Sequence, residues 1–314
     1  MESLKLSFNA VMPIFILMLL GYVLKMIKIT DKKGFDTMNK LVFKVFLPVL
    51  LFYNIYTTDL GSIFDVKLIT FSVLGVLLVF VIGYFVATLI TKDNLKRGVV
   101  LQGFFRSNLA LLGVPLIGYI YGENSGGLIS LVLSIIVPLF NVLAVFTLER
   151  FCQGKAKLDI VEVLKGVAKN PLIIGCFVGI VFLLLGIKLP TVIEKSVKDI
   201  SSVATPLAII ALGAEFEYKT IKESSKELLI TVSAKLIIIP FIMLLIATLL
   251  GFRGEALACI LVVFGTPIAV SSFSMVQQMG GDEHLAAHIV IMSSAFCLLT
   301  LFGWIYLLSC LSLL

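Results

Sequence analysis

Residues 104–122 read FFRSNLALLGVPLIGYIYG. The stretch lies within an apolar run long enough to cross a bilayer. It nevertheless holds Arg106, Ser107 and Asn108, and Gly113 and Pro115 follow a few residues later. A plain span avoids charge, carboxamide and helix breakers, because lipid offers no partner to a freed backbone group. Their grouping points to a helix interrupted at membrane depth, where backbone is buried in protein or lines a wet cavity.

The surroundings fit a membrane-embedded chain. Of 314 residues, 60% are hydrophobic and 14% charged, whereas soluble domains are about half apolar and a quarter charged. This excess implies an all-α integral membrane protein whose partner is the lipid bilayer. The net charge of +6 does not imply nucleic acid, since the basic residues form short clusters between apolar runs. They make no basic face and no aromatic stacking motif. The five cysteines (Cys152, Cys176, Cys259, Cys297 and Cys310) lack CxxC spacing, and four lie in apolar runs. They read as small core hydrophobes without a disulfide framework. The first apolar run, Leu6 to Leu24, follows Glu2 and Lys5 and precedes KMIKITDKKGF, without a small-residue cleavage site. It is expected to remain as a span.

A span needs about 20 predominantly apolar residues. Runs of that size lie near 6–27, 36–57, 68–91, 97–121, 126–148, 171–188, 194–214, 228–251, 256–280 and 285–312, which predicts ten transmembrane helices. Lys40 and Lys44 interrupt the second, and Lys195, Lys198 and Asp199 the seventh. The longest connection, at about 149–170, divides the chain into 1–150, a cytoplasmic loop at 151–170, and 171–314. With the N-terminus outside, the cytoplasmic loops hold fifteen Lys and Arg and the outer segments six. This bias predicts that both termini are extracytoplasmic in a multi-pass protein of the cytoplasmic membrane.

The two portions resemble each other. An offset of 158 residues places Pro13 on Pro171, Gly21 on Gly179, Pro48 on Pro206 and Gly122 on Gly280. Five helices per repeat is an odd number, so the second copy enters from the opposite side. The result is a 5+5 inverted repeat, the usual build of secondary transporters. The offset carries helix 4 onto helix 9, VVFGTPIAVSSFSMVQQMGG at residues 262–281. Both contain breakers beside polar residues: Asn108, Gly113 and Pro115 in one, Gly265, Thr266, Pro267, Ser271 and Ser272 in the other. A proline in one packed helix need only kink it. A related pair of interruptions is instead the best sequence pointer to a transport site, where half-helix N-termini favour anions.

These residues resemble the auxin efflux carrier family, which includes plant PIN-type carriers and bacterial malate or malonate permeases. The element NLALLGVPLIGYIYG in helix 4 is the most specific match. FLPVLLF, ATPLAIIALGAEF and the TPIAVSS…GGDEHLAAHIVIMSS pattern support it through the rest of the chain. The resemblance implies crossing broken helices 4 and 9, a homodimer built on a scaffold from helices 1, 2, 6 and 7, and carboxylate anions as substrates. Carried over by position, Asn108 would bind a substrate carboxylate, and Pro115 and Pro267 would mark the crossover. Ser107 stands where the plant pattern has a proline, and the long plant loop is missing, so auxin is not the expected cargo.

The expected site therefore comprises Arg106, Asn108, Asn54, Thr266, Ser271 and Ser272, with Gly113, Pro115, Gly265 and Pro267 as hinge positions. Among other intramembrane groups, Lys44 and Lys235 are open to snorkelling. Asn141 reads better as an interhelical bond, and His288 as a structural histidine rather than a proton relay. Helices 4 and 9 contain no Asp or Glu between Gly98 and Tyr121 or between Ala256 and Met279. That weighs against a sodium- or proton-coupled antiporter, since hard cations prefer oxygen ligands. A membrane sensor or lipid-binding module would normally carry a further soluble domain. No nucleotide-binding loop, HExxH or Cys/His cluster suggests an enzyme, a cofactor or a metal.

Overall fold

A computed structural model describes residues 2–57, 65–121, 126–152, 165, 168–215 and 224–314. Most of the central 151–170 loop, Gly122 and the basic Lys155, Lys157, Lys219 and Lys222 lie outside the described residues. All described secondary structure is helical. Among the described residues, seven helices are long and apolar enough to cross a membrane: residues 32–56, 66–90, 128–152, 191–215, 225–249, 254–279 and 283–310. Two shorter apolar stretches accompany them, residues 15–26 at the end of the first helix and residues 171–185. The remaining apolar run, 97–121, is divided between two helices.

In chain order the helices are α1 (Glu2–Met26), α2 (Lys32–Leu41), α3 (Leu47–Tyr56), α4 (Val66–Ile90), α5 (Asn94–Phe105), α6 (Leu109–Tyr121) and α7 (Gly126–Cys152). They continue as α8 (Pro171–Leu185), α9 (Thr191–Glu215), α10 (Ser225–Ser233), α11 (Ile239–Leu249), α12 (Gly254–Gly265), α13 (Val270–Met279) and α14 (Glu283–Cys310). Short acidic or amide side chains start several of them. Asp31, Asp65, Asp93, Asn170 and Asp282 each accept a hydrogen bond from a backbone N–H of the following first turn, satisfying a donor that has no helical partner.

Two single-turn π segments join otherwise continuous helices: Val42–Phe46 between α2 and α3, and Ala234–Ile238 between α10 and α11. Each is followed by a proline, Pro48 or Pro240, at the start of the next helix. A proline there brings no N–H and its ring crowds the preceding turn, so the wider π turn accommodates it. The two embedded lysines fare differently. Lys44 is exposed, whereas Lys235 is 0% exposed and does not snorkel.

Helices α1 and α9, and α3 and α8, approach closely enough for backbone contact. A Cβ on Gly21 would lie 2.0 Å from the Ile210 carbonyl oxygen, and one on Gly179 would lie 3.0 Å from that of Phe52. At Gly21 only glycine lets two backbones come this near. Both the glycines (21 and 179) and their facing residues (52 and 210) differ by 158, the offset found in the sequence.

Candidate functional site

Helices α5 and α6 are two parts of one membrane run, separated by Arg106, Ser107 and Asn108. The interruption needs neither proline nor glycine. Arg106 takes an extended conformation, with φ −85° and ψ 129°. Serine and asparagine side chains compete locally for backbone bonds and so weaken a helix at their position. Gly113 and Pro115 instead lie within α6, beyond the break. The second interruption separates α12 from α13 at residues 266–269. Here the proline is at the break itself. Pro267 has no N–H to donate, and it forces the preceding Thr266 into an extended conformation, with ψ 155°. Gly265 is the last residue of α12.

The breaks meet through their backbones. The Asn108 N–H donates to the Pro267 carbonyl at 2.8 Å, so each supplies a partner the other's irregular backbone lacks. Ser107 donates its hydroxyl to the Val263 carbonyl in α12. The Ile268 N–H donates to Ser293 Oγ of α14 at 3.2 Å. An interrupted backbone is thus satisfied inside protein, as a bilayer requires.

Arg106 is 3% exposed. Its Nη2 donates to Asn141 Oδ1 at 2.8 Å and to Ser271 Oγ at 2.9 Å, and its Nη1 to Gln102 Oε1 at 3.3 Å and to the Met275 sulfur. All these acceptors are neutral. Among the described residues, no carboxylate pairs with this guanidinium. Asn108 is also buried, and its side-chain NH₂ has no hydrogen-bond partner among the described residues.

Arg106, Ser107 and Asn108 face a cavity of about 70 Å³, enough for several waters. Asn54, Asn141, Thr205 and Ser271 add polar groups to its wall, and Leu47, Leu51, Phe140 and Leu172 make most of the rest apolar. Leu109 and Val270, the first residues of α6 and α13, also line it. No side chain caps α13. Its N-terminal N–H groups and its positive dipole end therefore start at the cavity wall.

Of the residues expected from the sequence, Arg106, Asn108, Asn54 and Ser271 come together around this cavity. Thr266 and Ser272 do not line it. Thr266 is fully buried and donates its hydroxyl to Val262 of its own helix at 2.8 Å. Ser272 is buried with its hydroxyl unpartnered among the described residues. Asn141, read as an interhelical bond, both lines the cavity and accepts from Arg106. Thr205, next to Pro206 within the ATPLAIIALGAEF stretch of α9, also lines the cavity, and as an uncharged residue it gives no sequence signal of its own. His288 is buried in α14.

A second polar group ties together the ends of α2, α9, α13 and α14. Lys32 pairs with Glu283 at 2.9 Å and with Glu215 at 3.8 Å, and His284 Nδ1 lies 3.2 Å from Glu215. Gln277 donates to Asp36 and Glu283, both at 3.0 Å, and accepts from Asn39. Ligand atoms of Glu215, Glu283 and His284 lie within 4.8 Å of one another, a grouping that motif spacing did not expose. The Lys32 ammonium supplies both carboxylates with a counter-charge.

The fold and this polar centre define a multi-pass helical membrane protein built around two interrupted helices. Residues 6–305 match the family described as Membrane transport protein, and the chain belongs to it. An uncharacterized transporter of Methanothermobacter thermautotrophicus is 26% identical over 300 residues, covering 95% of this chain and 97% of the relative. The uncharacterized transporter MJ1031 of Methanocaldococcus jannaschii is 26% identical over 315 residues, with coverages of 95% and 98%. A protein of Rhizobium meliloti named "Putative malonate transporter" is 23% identical over 307 residues, with coverages of 95% and 94%.

Proposed function

We propose that this protein is a secondary transporter of small organic carboxylate anions across the cytoplasmic membrane. The observation that carries the reading is Arg106: a buried guanidinium without a carboxylate partner among the described residues, facing a cavity where two helix breaks meet. A buried unpaired cation costs about 3 kcal/mol even on insertion scales. A carboxylate in the cavity would offset that cost and could accept from the free NH₂ of Asn108. The uncapped start of α13 adds positive potential on the same wall. The likeness to the Rhizobium meliloti protein favours a dicarboxylate such as malonate.

In this reading the chain is a ten-helix 5+5 inverted repeat, with halves at 1–150 and 171–314, working as a homodimer by alternating access. The matched approaches Gly21–Ile210 and Gly179–Phe52 support the repeat. They lie in the pairs α1–α9 and α3–α8, which would form the fixed scaffold while the broken helices move. The excess of basic residues in the assigned cytoplasmic loops supports extracytoplasmic termini.

The test is uptake by purified protein in liposomes. Labelled malonate, malate, pyruvate and an aromatic acid would be compared with and without pH and sodium gradients. Saturable uptake of a carboxylate, lost in Arg106→Met, is expected. Uptake of none of them, or equal uptake by Arg106→Met, would remove the proposal.

A further inference from the structure

Lys235 is a second buried basic residue at the same break, outside the lining of the cavity. It is fully buried in the π segment that precedes Pro240, and it does not line the cavity. Its Nζ donates to the Ser107 hydroxyl, which itself lines the cavity and donates to the Val263 carbonyl of the other broken run. The segment carrying Lys235 is held in turn by α14, where Trp304 Nε1 donates to the Leu236 carbonyl at 3.0 Å. A chain of hydrogen bonds therefore runs from the π segment between α10 and α11 through the first break to α12. Among the described residues no carboxylate pairs with Lys235, as none pairs with Arg106.

Such burial is unusual for an ammonium with one side-chain partner. A lysine needed only to brace Ser107 could be replaced by a neutral donor without the cost of burying a charge. What the charge adds is potential. Arg106 on the cavity wall and a protonated Lys235, bonded to the neighbouring Ser107, would place two positive charges without a carboxylate partner among the described residues in a low-dielectric surrounding. A monoanion neutralises one of them, whereas a dianion neutralises both.

We infer that Lys235 is a positioning and specificity-determining residue: it fixes Ser107 at the break, and its charge makes the site select doubly charged over singly charged anions. The inference rests on the anion-transport reading and adds a valence and a residue to it. Lys235 acts through Ser107 and through space, without touching the substrate.

The experiment measures binding to purified wild type, Lys235→Gln, Lys235→Met and Ser107→Ala at one neutral pH. The probes are malonate against its monomethyl ester, and sulfate against chloride, with melting temperature recorded for each protein. Wild type should bind each dianion at least about tenfold more tightly than its monovalent counterpart, a step of about 1.4 kcal/mol. Lys235→Gln keeps a donor for Ser107 but removes the charge, and should collapse that ratio towards one. Lys235→Met should do the same. Ser107→Ala keeps the charge and should weaken both members of each pair while preserving their ratio.

A wild type without dianion preference would overturn the inference before any variant is made, as would a preserved ratio in Lys235→Gln. A lower melting temperature with an unchanged ratio would reduce Lys235 to a brace. Failure of the wider reading looks different: no carboxylate binds, while the sulfate and chloride pair still tests Lys235. If wild type binds no anion at all, both fall together.

Discussion

The breaks at 106–108 and 266–269 lie close to the 158-residue offset from each other and share a backbone hydrogen bond, yet their chemistry is opposite. The first contains Arg106, Ser107 and Asn108, and no proline. The second contains Thr266, Pro267, Ile268 and Ala269, and no charge. Proline interrupts a helix by what it lacks, an N–H, so its break can be small and apolar. The polar trio is instead held open by bonds to other segments, Ser107 to Val263, the Asn108 N–H to Pro267 and Arg106 to Asn141 and Ser271, so its break brings charge into the membrane. One half thus supplies the charge of the candidate site. The other supplies an acceptor carbonyl, a helix start and the Ser271 hydroxyl.

The largest effect that would break this asymmetry is removal of its charge. Arg106→Met should abolish carboxylate transport and weaken binding by about 3 kcal/mol or more, given that hydrogen bonds to charged groups contribute about 1.5–3 kcal/mol each. Arg106→Lys keeps charge but loses the planar fork, and should weaken carboxylates while the protein stays folded. Binding affinity and melting temperature read on the same purified variants separate the roles. A destabilised protein with unchanged relative affinities would make Arg106 a brace for the break.

A second comparison sets the close approach of α1 to α9 against that of α3 to α8. Gly21→Ala would place a methyl group 2.0 Å from the Ile210 carbonyl, which as backbone cannot swing aside, and overpacking of that kind costs about 1–3 kcal/mol. Gly179→Ala meets the Phe52 carbonyl and the Ile55 Cβ, each at 3.0 Å, so a few tenths of an ångström relieve it. Melting in detergent should therefore rank Gly21→Ala clearly below Gly179→Ala. Equal melting temperatures would mean the two approaches are looser than described.

A smaller difference separates the prolines. Pro267 sits in the break and accepts from Asn108, whereas Pro115 lies inside α6. Pro267→Ala lets the chain extend α12 by a turn and should slow uptake on the order of tenfold, since misplacement by an ångström can have such consequences. Pro115→Ala should change uptake less. A larger loss with Pro115→Ala would show that uptake depends more on the proline within α6 than on the one in the break.

How far the sequence could be read follows from these two breaks. Composition was enough for a helical membrane protein, because no soluble core can hide so much apolar surface. The second break was legible at Pro267, since proline acts locally and its effect can be placed to a residue. The first was located less well: Gly113 and Pro115 drew attention, while the helix parts at the polar residues ahead of them. Glycine is tolerated inside a supported helix, and neighbouring helices satisfy a proline's freed carbonyl. Lys235 was illegible for another reason. Its snorkelling or burial depends on which way α10–α11 turns, and this is set by the π segment and by α14 rather than by neighbours in sequence. Asn141 belongs to the same class, because its role depends on Arg106 reaching it across the fold.

The smallest expected effect lies within the second break and contrasts two hydroxyls that the sequence placed on equal terms. Thr266 donates to Val262 of its own helix and is fully buried away from the cavity. Ser271 lines the cavity and accepts from Arg106 at 2.9 Å. Thr266→Val removes one hydrogen bond, worth about 1 kcal/mol. Valine suits the extended backbone that Pro267 imposes on this position. Its cost should appear as a slightly lower melting temperature, with malonate affinity within about twofold of wild type, a difference well under 1 kcal/mol. Ser271→Ala should do the reverse. The helix keeps its backbone bonds, but Arg106 loses a partner that fixes its fork, so affinity should fall while melting changes little. Measuring both quantities on both variants decides the matter. If Thr266→Val weakened malonate more than Ser271→Ala, the second break would contribute a side chain at Thr266, and the cavity described around Arg106 would be drawn too narrowly.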